Sequence, residues 1–441
     1  MNNLTFFKLL PILVFTAGPF LFAKKGKNES PTDGQVYVYY QTKPKNLQEE
    51  GMHQSGMKTG LWKFYYQTGK LRSEGQYKIS GGESQRTGLW KEYSEDGNLS
   101  GIENYENGQK IGNVIRFHPN GQTNTCIAYG PDGNKEGPAV QYYSSGTLLK
   151  KGQFKANKRD GVWVEYHGNN TAIFKKITYS ADKIEGPYEE YSDKGQKISE
   201  GVYKNEKTHG KWKYYAEGTI SSEVSYESGI TNGLCVFYAA DGSKERVSEI
   251  VSNVFHGKET EYYPDGKIKA EGMNEKGIKS GIWSFFDKSG HLKEKGPFKF
   301  GKKNGDFETY HANGKVESRG PYAAGSKKGS FSYFDANSLP VKIITYSGAS
   351  LRGPVVLFIN GKKSKEFEVS GIFSEDELFN KDGSLKEDSI KGAYKEYYSD
   401  GQTVKVEGFY SMMGKDKIWK YFDEKGQETK SEQYKMGDIV K

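Results

Sequence analysis

Cysteine is almost missing from this chain: two residues in 441, which rules out a disulfide framework. Aliphatic material is scarce as well. Hydrophobic residues make up 34% of the sequence and mean hydropathy is −0.81, too little for a thick two-layer core. No segment after residue 30 carries a sustained helical stripe, so bundles and α/β folds are excluded. Charge of one sign does not dominate: 64 basic residues are offset by 56 acidic ones, which disfavours nucleic acid as a partner. Histidine is sparse, and the seven present are not at metal-ligand spacing. No Gly-x4-Gly-Lys-Ser/Thr phosphate loop and no serine nucleophile elbow occurs. These absences point away from a catalytic residue, a cofactor, a metal or a small-molecule substrate.

What the chain does have is glycine, 55 residues, and aromatics, 14%, arranged in one recurring phrase. Gly60-Leu-Trp62-Lys-Phe-Tyr65, Gly281-Ile-Trp283-Ser-Phe-Phe286 and Gly305-Asp-Phe307-Glu-Thr-Tyr310 show it. Repeat starts fall at Gly34, Gly60 and Gly88, then every 23–25 residues to Gly353, then at Ser374, Gly392 and Lys417, giving 17 units. A period in this range means stacked supersecondary units. Five residues after every start stands an aromatic, among them Tyr65, Tyr93, Tyr142, Tyr166, Tyr215, Tyr262, Phe286 and Tyr310. All six tryptophans, Trp62, Trp90, Trp163, Trp212, Trp283 and Trp419, lie two after a start. These aromatics are structural candidates first and binding candidates second.

Each unit reads as a β-hairpin: an aromatic-rich segment, an Asp-Gly or Asn-Gly turn such as Asp96-Gly97 or Asn313-Gly314, and an alternating return segment. The expected fold is all-β, an elongated, open, twisted single-layer solenoid-like array of about 17 hairpins with a period of about 24 residues. Regular repeats occupy 34–352, degenerate ones 353–391 and a final two 392–441. Positions two and five have opposite parity, so either the strand carries a bulge or both faces bear aromatics. The acidic run Glu375-Asp376-Glu377 reads as a solvated loop in a degenerate unit. Cys126 and Cys235 fall five units apart, about 45 Å by strand spacing, and read as free thiols.

Residues 1–23 differ in kind. Lys8 leads an uncharged run, Leu9 to Ala23, of a length that suits a secretory signal rather than a membrane span. Cleavage is expected between Ala23 and Lys24, with 24–33 a polar linker and the protein exported to the periplasm, the outer surface or the medium.

The phrase Gly-x-Trp-x-x-Tyr-Tyr-x-x-Gly-x-Leu-x-x-Glu-Gly-x-Tyr, carried by Gly60 to Tyr77 and echoed at Gly88, Gly210, Gly281 and Gly392, resembles the variant MORN repeat of bacterial proteins. That resemblance covers about residues 34–441 and implies β-hairpin arrays acting as protein- or membrane-binding scaffolds. The leading expectation is an exported, non-enzymatic scaffold that binds another envelope protein or a membrane-associated partner. The alternatives are an aromatic array binding cell-wall glycan and, from the label many such bacterial proteins carry, a cytoplasmic toxin-binding protein. An anionic membrane surface is a further candidate partner.

Overall fold

The computed structural model describes residues 33–440 apart from 42, 170, 349 and 373. The expected leader with its Ala23–Lys24 cleavage point, and the expected linker up to residue 32, lie outside the described residues. The chain divides into two units, up to Gly146 and from Thr147 onward. In the first, strands from Gly34–Tyr39 to Lys135–Tyr142 pair antiparallel, each with its neighbours in sequence. In the second, strands from Leu148–Lys155 to Asp438–Ile439 do the same. The all-β hairpin array is as expected.

The turns alternate in type. Where Asp-Gly and Asn-Gly pairs occur, the residue four before the closing one accepts from the glycine, as in Gly97 N to Ser94 O at 2.9 Å, and Ser94 N donates to Asn98 O at 2.8 Å. Only the glycine takes positive φ there, 94° at Gly97, so this is a type I turn with a bulge. The two-residue turns with positive φ at both positions join one unit to the next, as at Ala156-Asn157 and Ala181-Asp182.

The parity question resolves in an unforeseen way. Along Met57–Tyr65, Lys63 pairs with Glu50 and Thr59 with Met52, so residues 60–62 bulge opposite the single Gly51. The start glycine supplies the bend, with φ +68° at Gly60. From Trp62 to Phe64 the strand then runs regularly, Trp62 opposite Gly75 and Phe64 opposite Ser73, and a further shift falls between Phe64 and Tyr65, which stands opposite Leu71. Trp62 packs beside Phe64, whereas Tyr65 bonds Glu50, the cross-strand partner of Lys63, so Trp62 and Tyr65 point to opposite faces and both faces bear aromatics. Lys417, which replaces a start glycine, adopts the same backbone at φ +64° and leaves the adjacent Trp419 fully seated.

The residue at position two is buried in every regular unit, and the six tryptophans are only 0–6% exposed. Each indole lies flat on a glycine of the preceding return strand. A Cβ placed on Gly51, Gly75, Gly152, Gly201, Gly272 or Gly408 would stand 2.2–2.4 Å from the ring of Trp62, Trp90, Trp163, Trp212, Trp283 or Trp419. Each Nε1 donates to the carbonyl of the next residue, at 2.9–3.3 Å. Phe307 and Phe331 sit on Gly296 and Gly320 in the same way. Where the seat holds a smaller residue, the floor grows: Ala139 faces Ile127, Cys235 faces Val224 and Val355 faces Ile344. Tyr188 over Ile177 and Tyr394 over Phe367 are the exceptions. Volume is thus conserved across unit joints, as close packing requires. Both cysteines are free, and Cys235 fills one of these seats.

The Ser374 unit is not a hairpin. Lys362–Ile372 pairs directly with Gly392–Tyr397, Phe367 opposite Tyr394. The intervening stretch forms a helical turn, Glu375–Leu378, and a 3₁₀ turn, Glu387–Ser389, which fold over one face. Leu378, Phe379 and Ile390 pack there with Phe331, Ile344, Phe367, Tyr394 and Trp419 in one core cluster. Phe379 mimicked the repeat aromatic in sequence, yet it belongs to this cap. Glu375 is not a solvated acid: Tyr333 donates to it at 2.9 Å, Lys342 at 2.7 Å, and Tyr346 also bonds it.

The seat rule makes a coupled prediction. Gly201→Ala should cost about 1–3 kcal/mol by overpacking, and in a Trp212→Ala background its cost should nearly vanish. Equilibrium denaturation of the double-mutant cycle measures this; additive effects would contradict ring-on-glycine contact.

Candidate interaction faces

The ring face, on which positions two and four project, is closed by a lid. Two residues before many starts stands a cation that lies over the seated ring. Lys58 lies over Trp62 at 4.1 Å, Arg86 over Trp90 at 4.1 Å, Lys279 over Trp283 at 3.7 Å and Lys415 over Trp419 at 4.2 Å. Lys303 and Lys327 cover Phe307 and Phe331 at 4.8 and 4.9 Å. Edge-on tyrosines wall the rings, for example Tyr77 against Trp90 at 5.2 Å and Tyr203 against Trp212 at 5.2 Å. Several lid cations are tied down by carboxylates, such as Lys58 to Glu49 at 2.6 Å and Lys279 to Glu261 at 3.3 Å. Each cation–ring contact contributes about 0.5–2 kcal/mol, more where water is excluded.

Two seats are polar. Next to Val114, the buried Glu103 receives Lys110 Nζ at 2.6 Å and also Tyr105 and Arg116. Burial pushes its carboxyl up, but the hydrogen bonds from Lys110, Tyr105 and Arg116 outweigh that and hold it down at about 2. At Glu259, which occupies a tryptophan seat, Ser248 donates at 2.9 Å and Asn274 at 2.8 Å. No three His, Cys, Asp or Glu residues converge as a metal site among the described residues.

The opposite face is a tyrosine face, on which positions one, three and five project. Here tyrosine hydroxyls donate to glutamates: Tyr65 to Glu50 at 2.5 Å, Tyr93 to Glu74 at 2.9 Å, Tyr215 to Glu200 at 2.8 Å and Tyr310 to Glu308 at 2.6 Å. Burial, then the neighbouring carboxylate, pushes the Tyr93, Tyr215 and Tyr310 hydroxyls up to about 12. Lysines lie near the rings of Tyr166 and Tyr262, at 5.9 and 5.7 Å. Tyr142 and Phe286 are half-buried, and their carbonyls accept from His118 Nε2 at 2.9 Å and Tyr263 Oη at 2.8 Å. That tie recurs at position six, where His167 and His311 do the work of Tyr66 and Tyr398.

This face also carries open apolar side chains at position one. Leu61, Leu89, Val162, Leu234, Ile282 and Ile418 are 49–55% exposed. In the second unit a groove of about 550 Å³ lies beside one of them, Ile282, and is lined also by Lys295, Asp306, Glu308, Arg319 and Pro321. Of the aromatics singled out from sequence, the tryptophans gather on the closed face and the position-five rings on the tyrosine face. Neither the lid cations nor the position-one aliphatics were anticipated. The lid was detectable as Lys or Arg two before the start in nine units between Gly60 and Lys417: Lys58, Arg86, Lys110, Lys135, Arg159, Lys279, Lys303, Lys327 and Lys415.

Seven segments, residues 58–78, 86–107, 135–156, 184–205, 255–273, 279–300 and 303–324, match a family model described as the MORN repeat variant. The chain carries MORN repeat variants. Every matched MORN segment begins at the lid position, two residues before a start glycine. Comparison with curated proteins returned no match. Among solved structures, the chain is similar to the Photorhabdus luminescens Tc holotoxin pore bearing the mutation TccC3-D651A, at 11% identity over 91% of this chain and 26% of that one, TM-score 0.14. It is also similar to TcdB2-TccC3 without its hypervariable C-terminal region, at 10% identity over 92% of this chain and 23% of that one, TM-score 0.16. The chain thus spans about a quarter of the length of these structures, and superpositions so loose carry no argument.

The Glu103 cluster gives MORN-array stability an acid limb. Its folded carboxyl, at about 2, lies below the ordinary 4.5, so its contribution is present above about pH 4.5 and is lost as pH falls toward 2. Glu103→Gln should lower stability at pH 7, by stranding Lys110 and Arg116, and flatten the dependence between pH 4.5 and 2. Denaturation at a series of pH values tests this; an unchanged acid slope would contradict it.

Proposed function

We propose that this chain is a non-catalytic MORN scaffold, exported, that binds a protein partner on its tyrosine face. The observation that carries the reading is the asymmetry of the two faces. The ring face spends its aromatics on internal seats and covers them with cations. The tyrosine face leaves aliphatic side chains open beside hydroxyls and charges of both signs, with a groove at Ile282. Apolar anchors among polar groups are what protein interfaces use. The glycan-binding alternative loses its main support, because no indole presents a free face for a sugar to stack on. A repeated face suits a partner contacted at several units, each contact modest and the sum adequate.

Export rests on residues 1–23, and the toxin-binding alternative requires that they not be removed. Cell fractionation with protease treatment of intact cells should find protein beginning at Lys24 in the envelope or outside. Full-length protein retained in the cytoplasm would favour the toxin-binding reading. A photo-crosslinking side chain at Ile282 should give a discrete adduct in the native envelope, weakened about tenfold by Arg319→Glu without a change in melting temperature. The same probe at Lys303, on the ring face, should give none. Equal adducts from both faces would overturn the assignment.

A further inference from the structure

The joints between units follow residue rules that can be applied to the two strands lacking a partner on one side. Gly34–Tyr39 pairs only with Leu47–Gln54 among the described residues. At the other end, Glu428–Lys435 pairs with Gly414–Phe422, and its outer edge is taken only at Tyr434 and Lys435, by Asp438–Ile439. Val440 N then donates to Gln433 O at 2.7 Å, as Asn304 N does to Pro297 O at 2.9 Å where an internal joint begins. The segment Glu428–Glu432 is left bare among the described residues. At internal joints this stretch is covered by positions two to five of a first strand, the positions that Val36 to Tyr39 hold.

We propose that the bare edge at Glu428–Glu432 receives Gly34–Tyr39 of a second copy of this chain, in the register of an internal joint. Three pairings follow, two with precedents inside the chain. Val36 would meet Glu432, as Val114 stands beside Glu103 in the register that pairs Ile115 with Ile102. The cation that Glu103 needs is already supplied to Glu432 by Lys430, at 2.6 Å. Val38 would meet Lys430, as Leu357 meets Lys342. Tyr37 would meet Ser431, at the position where opposite charges face each other in seven internal joints. Lys63 faces Glu50 there, Lys91 faces Glu74, Lys213 faces Glu200, and the joints at Glu189, Glu308, Lys395 and Lys420 follow suit. Tyr37 and Tyr39 are 49% and 48% exposed, more than their counterparts at internal joints, because no return strand precedes them among the described residues. The two edges are different surfaces, so the contact is heterologous, head to tail. Each copy leaves a fresh edge, and the product is a chain of copies rather than a dimer.

Sedimentation equilibrium of the full chain tests this. Average mass should rise continuously with protein concentration. Tyr37→Lys combined with Ser431→Lys places like charges across the joint and should weaken association about tenfold. Tyr37→Lys combined with Ser431→Glu recreates the internal Lys–Glu pairing and should restore it. Both positions are exposed, and unchanged melting temperatures would show that the fold is intact. A monomer at all concentrations, a mass that levels off at a dimer, or equal association by the two double variants would overturn the proposal.

Discussion

A flat aromatic ring laid on a bare glycine backbone is the contact on which the rest of this structure depends. A single hairpin cannot bury a tryptophan; it has only one layer and two strands. Here the ring leaves its own hairpin and lies on the return strand of the unit before it, where any side chain would collide with it. The indole N–H finds the adjacent carbonyl, so the buried polar atom is satisfied at no further cost. The start glycine, with its positive φ, makes the bulge that tips the ring over. Each unit therefore supplies the floor for the next one, and stability accumulates through nearest-neighbour joints.

Once the rings are seated, the division of labour between the faces follows. A single layer leaves its aromatics exposed unless something covers them, and the aliphatic supply is too small to build a second layer. Lysine and arginine do it instead, lying over the rings with their charges at the rim. Between Phe331 and Trp419 the chain provides an apolar cover by inserting the 374–391 stretch, with Glu375 hydrogen-bonded to Tyr333 and Tyr346 and paired with Lys342. Among the described residues the tyrosine face has no such cover. Its hydroxyl–carboxylate bonds hold the strands in register while leaving position one open.

Much of this was legible in the sequence, because the repeat shows which positions are constrained. The aromatic at position five and the tryptophan at position two gave the period, the hairpin and the all-β class. The facing of Trp62 and Tyr65 was not legible, since a bulge at Gly60 and a decorated pair of faces produce the same spacing. The lid was hidden because Ile184, Thr208 and Phe255 occupy it in other units. The cap was hidden because Phe379 falls where a repeat aromatic belongs. The compensation between Cys235 and Val224, or Ala139 and Ile127, needed the register of neighbouring strands, which no single unit reveals.

Acrylamide quenching of tryptophan fluorescence tests the central claim most directly. With all six indoles seated on the preceding strand and covered, the native protein should be quenched far less than the same chain in denaturant, and its emission should be blue-shifted. Quenching of the native protein as efficient as that of the unfolded chain would mean that the rings are open to solvent, and the account of how the units hold together would fail.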